Sequence, residues 1–250
     1  MHYKLEIIPG TKPYVLYELT SKFPQITIQE NEDTRTISFE SKQEDIDVFY
    51  KLHSPLRIQK ENGLIRNLYR RDWKKYSVPA GINPSLSYIL CMLAEISKQD
   101  VVFDPFCGAG TIAITAKLYF NPYKVLCSDI SGKALDMAIA NSKAAGITKN
   151  FTAFRSNVSQ LRLQKESVSK IITNMPFGIR VGNHEKNKKI YYNFAKKSRV
   201  ILKKQGKLII YTQEKELIRE NFSTDFKIED EIIIEQGGLF PTIFVISKTT

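Results

Sequence analysis

The stretch Lys170-Ile171-Ile172-Thr173-Asn174-Met175-Pro176-Phe177-Gly178 carries an apolar run into an amide, a proline, an aromatic ring and a glycine. The side-chain oxygen of Asn174 is an uncharged hydrogen-bond acceptor. Pro176 fixes the turn that aims it. Phe177 offers a flat face on which a base can stack, worth roughly 1–3 kcal/mol. Gly178 keeps the far side open. An exocyclic amine of a nucleobase needs such a setting, because its lone pair is delocalised into the ring. It must be held and rehybridised, with its hydrogens directed at acceptors: the Asn174 oxygen and a main-chain carbonyl near Met175. A group that arrives with a positive charge and loses it on transfer requires no strong general base. Alignment is then the main lever, worth up to roughly 7–11 kcal/mol.

A second stretch, Val101–Ile114 (VVFDPFCGAGTIAI), places Asp104 at a strand end, then Gly108-Ala109-Gly110, then a helix. In an open α/β sheet, ligands sit outside the carboxyl ends of the strands. Glycines there let the backbone approach a ligand closely. The next strand ends in Asp129, placed to accept hydrogen bonds from both ribose hydroxyls of a nucleoside cofactor. A dinucleotide site requires G-x-G-x-x-G, but Ile112 and Ala113 occupy the region of the third glycine, and no Lys-Thr/Ser pair marks a phosphate loop. Asp104 before the loop would repel a pyrophosphate and suits a cationic ligand. The loop therefore favours S-adenosylmethionine over NAD or ATP. Cys107 could serve a cytosine-C5 nucleophile, but it sits in the cofactor loop rather than after the fourth strand, and reads as a small buried filler.

These residues need a scaffold of repeated strand–helix units. VVFD, KVLCSD, FTAFRS, KIITN and KLIIYT read as strands, with helices between most of them, and the tail around Gly237-Gly238 reads as a hairpin. The expected fold class is α/β: a Rossmann-like, mostly parallel sheet with an antiparallel C-terminal hairpin. The first 60 residues run β-α-β-β-α-β, the ferredoxin-like signature. The expected division is a small ferredoxin-like α+β domain over 1–62, a basic aromatic linker over 63–84, and the Rossmann-like domain over 85–250.

The chain has 250 residues, 42% hydrophobic and 25% charged, and a formal net charge of +11, which suggests a polyanionic partner. Residues 180–207 hold ten Lys/Arg against one acid, and residues 57–75 hold seven against two. Arg180, just past Gly178, begins the first cluster. Tyr69, Trp73 and Tyr76 interleave with the second and are candidates to stack bases. A solvated helix face and an interdomain role for Trp73 are the competing readings. The three cysteines form no CxxC pair, so neither a disulfide framework nor a zinc site is expected. No apolar leader and no run of 18 apolar residues is present, so a cytoplasmic protein with no membrane partner is expected.

DPFCGAGT together with TNMPFGIRVG resembles the THUMP-associated class I RNA methyltransferases, which make N2-methylguanosine in RNA. The resemblance runs from about Arg70 to the C-terminus. It includes RDWKKYSVPAGINPSLSYIL, YYNFAKKSRVILKKQGKLIIYT and the final GGL. It implies S-adenosylmethionine as cofactor and RNA, tRNA or rRNA, as substrate. Asp104, Gly108 and Gly110 would surround the methionine moiety, with Phe106 and Thr111 beside them. Asp129 and Ile130 would sit at the ribose, and Asn83 near the cofactor carboxylate. Asn174, Pro176 and Phe177 would hold the target amine, with Gly178, Arg180 and Trp73 on the substrate side. Where the family places an Asp against the adenine amino group, this chain has Asn157, whose amide oxygen could still accept. Residues 1–60 leave no room for a THUMP domain, so a protein partner in its place, or a homodimer, is expected. A DNA adenine-N6 or cytosine-N4 methyltransferase shares the Asn-x-Pro-aromatic pattern and is the rival enzyme. A non-catalytic RNA-binding protein on the same fold is the rival of another class. The ferredoxin-like start and Gly178 favour RNA.

Overall fold

The computed structural model describes residues 1–176 and 184–249. The N-terminal part runs β1 (His2–Glu6), α1 (Lys12–Lys22), β2 (Thr27–Gln29), β3 (Thr36–Glu40), a 3-10 turn Ile46–Lys51, β4 (Arg57–Lys60) and β5 (Ile65–Asn67). Its sheet order is β2-β3-β1-β4-β5, antiparallel throughout. The first four strands have the order expected of a ferredoxin-like unit. Tyr3 and Leu5 of β1 face the core while His2 and Lys4 face water, the period-two signature of a one-sided sheet. The second helix of that unit is reduced to the 3-10 turn, capped where the Asp45 carboxylate accepts from Asp47 N. The expected linker contributes β5 to this sheet, pairing Gln59 with Ile65 and Arg57 with Asn67.

The second part runs α2 (Pro84–Leu93), β6 (Val101–Asp104), α3 (Thr111–Thr115) widening into a π-helical turn Ala116–Phe120, β7 (Lys124–Asp129), α4 (Gly132–Ala144) and β8 (Phe151–Arg155). It continues with β9 (Val168–Asn174), α5 (His184–Ile201), β10 (Leu202–Thr212), α6 (Lys215–Asn221), β11 (Phe226–Ile233) and β12 (Thr242–Lys248). The order is β11-β12-β10-β9-β6-β7-β8. Strands β8, β7, β6, β9 and β10 are parallel, and β12 runs antiparallel to β10 and to β11. The central strands are apolar on both faces: Ile171, Ile172, Leu208, Ile209 and Ile210 are fully buried. This order brings the C-terminal ends of β8, β7, β6, β9 and β10 side by side, and those ends carry the candidate site.

The two parts share a core. Ile89 of α2 packs among the N-terminal apolar residues and Ile8 packs against the central sheet. Ser85 Oγ donates to Pro55 O (2.8 Å), and Arg35 pairs with Glu235 (2.7 Å). Among the described residues no helix is long and apolar enough to cross a membrane, and no cluster of His, Cys, Asp and Glu could hold a metal.

Candidate active site

The glycine turn leaves β6 at Asp104 and is tied to the neighbouring strand end. Cys107 N donates to Ser128 O (3.0 Å) and Gly108 N donates to Asp129 Oδ2 (2.9 Å). The other carboxylate oxygen of Asp129 accepts from Ser131 N (2.9 Å) at the start of α4. Gly108 has φ +51°, and a Cβ there would lie 3.1 Å from Val78 Cγ2, so glycine lets the opposite wall close in. Gly110 has φ +81°, and a Cβ would lie 3.0 Å from Ala138 Cβ, so this glycine serves the packing of the loop on α4.

The opposite wall is the basic aromatic stretch before α2. Asn141, buried in α4, accepts from Tyr76 N (3.0 Å), donates to Tyr76 O (2.9 Å) and donates to Ala109 O (3.0 Å). One amide thus pins both this strap and the glycine turn. Lys74 Nζ donates to Ile82 O (3.0 Å), and Val78 to Ile82 then cover the strand ends. The expected linker is therefore a wall of the site.

Between these walls lies a cavity of about 830 Å³, within the usual size range of ligand sites. Of the sequence-derived residues, Phe106, Gly108, Asp129, Ile130, Asn157, Asn174 and Pro176 line it. Asp104 and Thr111 line a small adjoining cavity of about 40 Å³, which Phe106 and Asn174 also reach. Asn83 lines neither; its side chain caps α2 by accepting from Ser85 N (2.8 Å), with Pro84 next to it as the first helical residue. Gly110 also lines neither. Trp73 is only 7% exposed, so its ring cannot serve as an open stacking platform, while Tyr76 is 52% exposed. Phe177, Gly178 and Arg180 lie outside the described residues.

Asn174 sits at the end of β9. Its Nδ2 donates to Ala80 O (3.1 Å), which fixes the orientation of the amide. Its Oδ1 is buried and meets no hydrogen-bond donor. Such an atom is costly unless a ligand completes it. The following residues are held from the adjacent elements: Met175 N donates to Tyr211 O (3.0 Å), and Tyr191 Oη donates to Pro176 O (3.2 Å). Thr212 Oγ1 lies 2.6 Å from Tyr191 Oη and accepts from Glu214 N (3.0 Å). Burial raises the Tyr191 phenol above its ordinary value and keeps its proton in this chain. Pro176 O thus already accepts one hydrogen bond, and the Met175 carbonyl lies between it and Asn174 in the chain.

Two expectations change in chemistry. Asn157 Oδ1 accepts from both Ser159 N and Ser159 Oγ (3.0 Å each), so its lone pairs are taken. The group left for a ligand is its NH2, which suits a ring nitrogen rather than an amino group. Asp104 is 1% exposed; burial pushes its carboxyl up to about 7, against the hydrogen bonds from Thr173 Oγ1 (2.8 Å) and Phe106 N (3.2 Å).

Cys107 is buried, and the neighbouring Cys127 thiol together with burial holds its thiol well above the ordinary range. Only the thiolate is nucleophilic. Cys107→Ala should retain most of the turnover; near-complete loss in a correctly folded variant would identify a covalent mechanism.

Residues 71–235 match the protein family described as RMKL-like, methyltransferase domain (UPF0020). The chain belongs to this methyltransferase family. Its curated relatives include a Thermus thermophilus protein named tRNA (guanine(6)-N2)-methyltransferase, 29% identical over 179 residues, covering 71% of this chain and 53% of the relative. A Methanothermobacter thermautotrophicus protein named tRNA (guanine(10)-N2)-dimethyltransferase is 31% identical over 162 residues, covering 63% and 47%. The chain spans about half the length of the first of these relatives. Among solved structures, TrmN from Thermus thermophilus superposes with a TM-score of 0.86 at 18% identity, covering 99% of each chain. SMU.472, crystallised as a complex with SAH, gives 0.74 at 13% identity, covering 98% of this chain and 97% of that one. These likenesses establish the class I methyltransferase fold for the RMKL-like chain.

The resemblance placed AGINP (80–84) near the cofactor, and Ala80, Gly81 and Ile82 do line the cavity; sequence reading missed Asn141, Val78 and Pro79, and a wall contributed by Asn187, Tyr211 and Gln236. None carries a local signal. Asn141 looks like a surface polar residue in a helix, and Asn187 lies within a lysine run.

Proposed function

We propose that this chain transfers a methyl group from S-adenosylmethionine to the N2 amine of guanine in RNA. The observation that carries the proposal is the buried, unpartnered oxygen of Asn174, a residue that lines a cavity together with Gly108 and Asp129 of the other strand ends. The names of the relatives support guanine N2 as the target atom and tRNA as the substrate class.

The cofactor supplies an electrophilic methyl group on a sulfonium, which becomes a neutral thioether as the carbon–nitrogen bond forms. The residues present fit it. Gly108 carries no side chain into the gap below Val78, Asp129 is held at the end of β7, and Asp104 is the only carboxyl among the described residues that line the small adjoining cavity. Asn174 Oδ1 and the Met175 carbonyl take the two amine hydrogens and turn the nitrogen lone pair toward the methyl carbon. The amine proton leaves to water after transfer, when the nitrogen is strongly acidic. Lys186 of α5 lines the cavity, and the exposed Lys188 and Lys189 follow it within one turn of the helix; these lysines suit phosphate contacts.

The test uses labelled S-adenosylmethionine with total RNA and with DNA, followed by nucleoside mass spectrometry. N2-methylguanosine in RNA is the expected product. Label only in DNA, or none in either despite cofactor binding, overturns the proposal.

A further inference from the structure

A second carboxamide lines the same cavity. Asn187, in the first turn of α5, is fully buried. Its Nδ2 donates to Glu214 Oε1 (3.0 Å), and its Oδ1 is buried without a partner. The carboxylate can only accept, so the amide must turn its NH2 toward Glu214 and its oxygen away. Asn187 lies one turn before Tyr191, whose hydroxyl holds Pro176 O, which places it beside the motif that carries Asn174. Two residues of the cavity wall, Asn174 and Asn187, thus each have the amide nitrogen tied back and a buried side-chain oxygen without a partner. The Met175 carbonyl stands next to the first.

Resting on the reading of this site as a base-amine methyltransferase, we infer that Asn187 is the residue that selects guanine, by accepting its N1–H. The argument is one of donors and acceptors. Guanine presents hydrogens in a row, two on N2 and one on N1. Adenine and cytosine present a bare ring nitrogen beside their exocyclic amines, N1 and N3 respectively. An unpaired oxygen next to the amine-binding oxygens is completed by guanine and faces a lone pair in the other two. Sites with buried polar groups of this kind reject a substrate that leaves them unpaired far more strongly than apolar pockets reject a change of size.

The test is RNA in which the target guanine is replaced by 2-aminopurine, which keeps the 2-amine and turns N1 into an acceptor. The wild-type chain should favour guanine by about 10²-fold or more in kcat/KM. Asn187→Ala should lower kcat/KM for guanine and cut that preference at least about tenfold, with S-adenosylhomocysteine affinity unchanged. A purely structural role would slow both substrates alike and leave the preference intact, which overturns the inference. Equal use of the two bases by the wild type also overturns it and needs no variant. Absence of methylation on any RNA by the wild type would instead strike the proposed function itself.

Discussion

Asn174→Ala should lower kcat by about 10²–10³, the scale on which removal of one preorganised polar contact to a reacting group is felt. Binding of S-adenosylhomocysteine should change little. The reason lies in how the residue is held. Only its Nδ2 is used within the protein, on Ala80 O, while Oδ1 waits for a ligand. Truncation deletes the acceptor that rehybridises the amine but leaves Asp129 and the glycine turn, which are tied to each other. Asn174→Asp is the sharper companion. A carboxylate keeps an acceptor for the amine but has no hydrogen for Ala80 O, and it sets two acceptors against each other. It should therefore weaken cofactor binding more than the alanine does, because both variants lose the tie of the strap to β9 but only the carboxylate repels Ala80 O. Single-turnover rates together with calorimetry on both variants separate the two effects. Equal loss of cofactor affinity in both variants would make Asn174 a strap anchor and nothing more.

The parts of this design that sequence exposed share one property: each is encoded locally. The strands β6, β7, β8 and β9 are short apolar runs ending at polar residues, and those ends are where the sheet order places ligands. Asp104, Gly108, Asp129 and Asn174 were thus legible as a set. The terminal pairing of β11 with β12 was legible for the same reason. What stayed hidden depends on contacts distant in sequence. The resemblance put AGINP near the cofactor, but the strap has no periodicity, and the tie that holds it comes from Asn141, 65 residues beyond Tyr76. Asn187 and Glu214 meet across two elements, and neither belongs to a recognisable pattern. Helix α6, Lys215–Asn221, buries only Leu217 and Ile218 within it, too small an apolar stripe to announce itself. The turn Ile46–Lys51 carries helical spacing but stays 3-10, ending where Leu52 adopts an extended backbone. Trp73 looked like a base platform because it sits among basic residues, and burial removes that role.

Asp104→Asn should stabilise the ligand-free chain above neutral pH and have little such effect in mild acid. The Asp104 carboxyl is 1% exposed, and burial pushes it from 3.8 up to about 7. A folded-state value above the unfolded one means that the native chain keeps a proton which the unfolded chain releases. Stability contributed by this group is therefore intact below about pH 4 and falls as pH rises toward 7. Above that the full cost remains, on the order of a few kcal/mol at about 1.4 kcal/mol per unit. An asparagine oxygen can still accept from Thr173 Oγ1 and Phe106 N, so the local hydrogen bonds survive while the titration disappears. Melting temperatures from pH 5 to 8 should decline more steeply for wild type than for the variant; parallel curves would show that the carboxyl does not titrate in this window. The same linkage reaches function. A cationic ligand near the Gly81–Thr111–Asn174 cavity favours the ionised carboxylate, so its binding releases a proton and tightens as pH rises through 7. Affinity for S-adenosylmethionine should show that rise in wild type and lose it in Asp104→Asn. S-adenosylhomocysteine lacks the sulfonium charge, and its affinity should respond less to pH in both. A pH response equal for the two ligands would place the sulfonium too far from Asp104 to feel it.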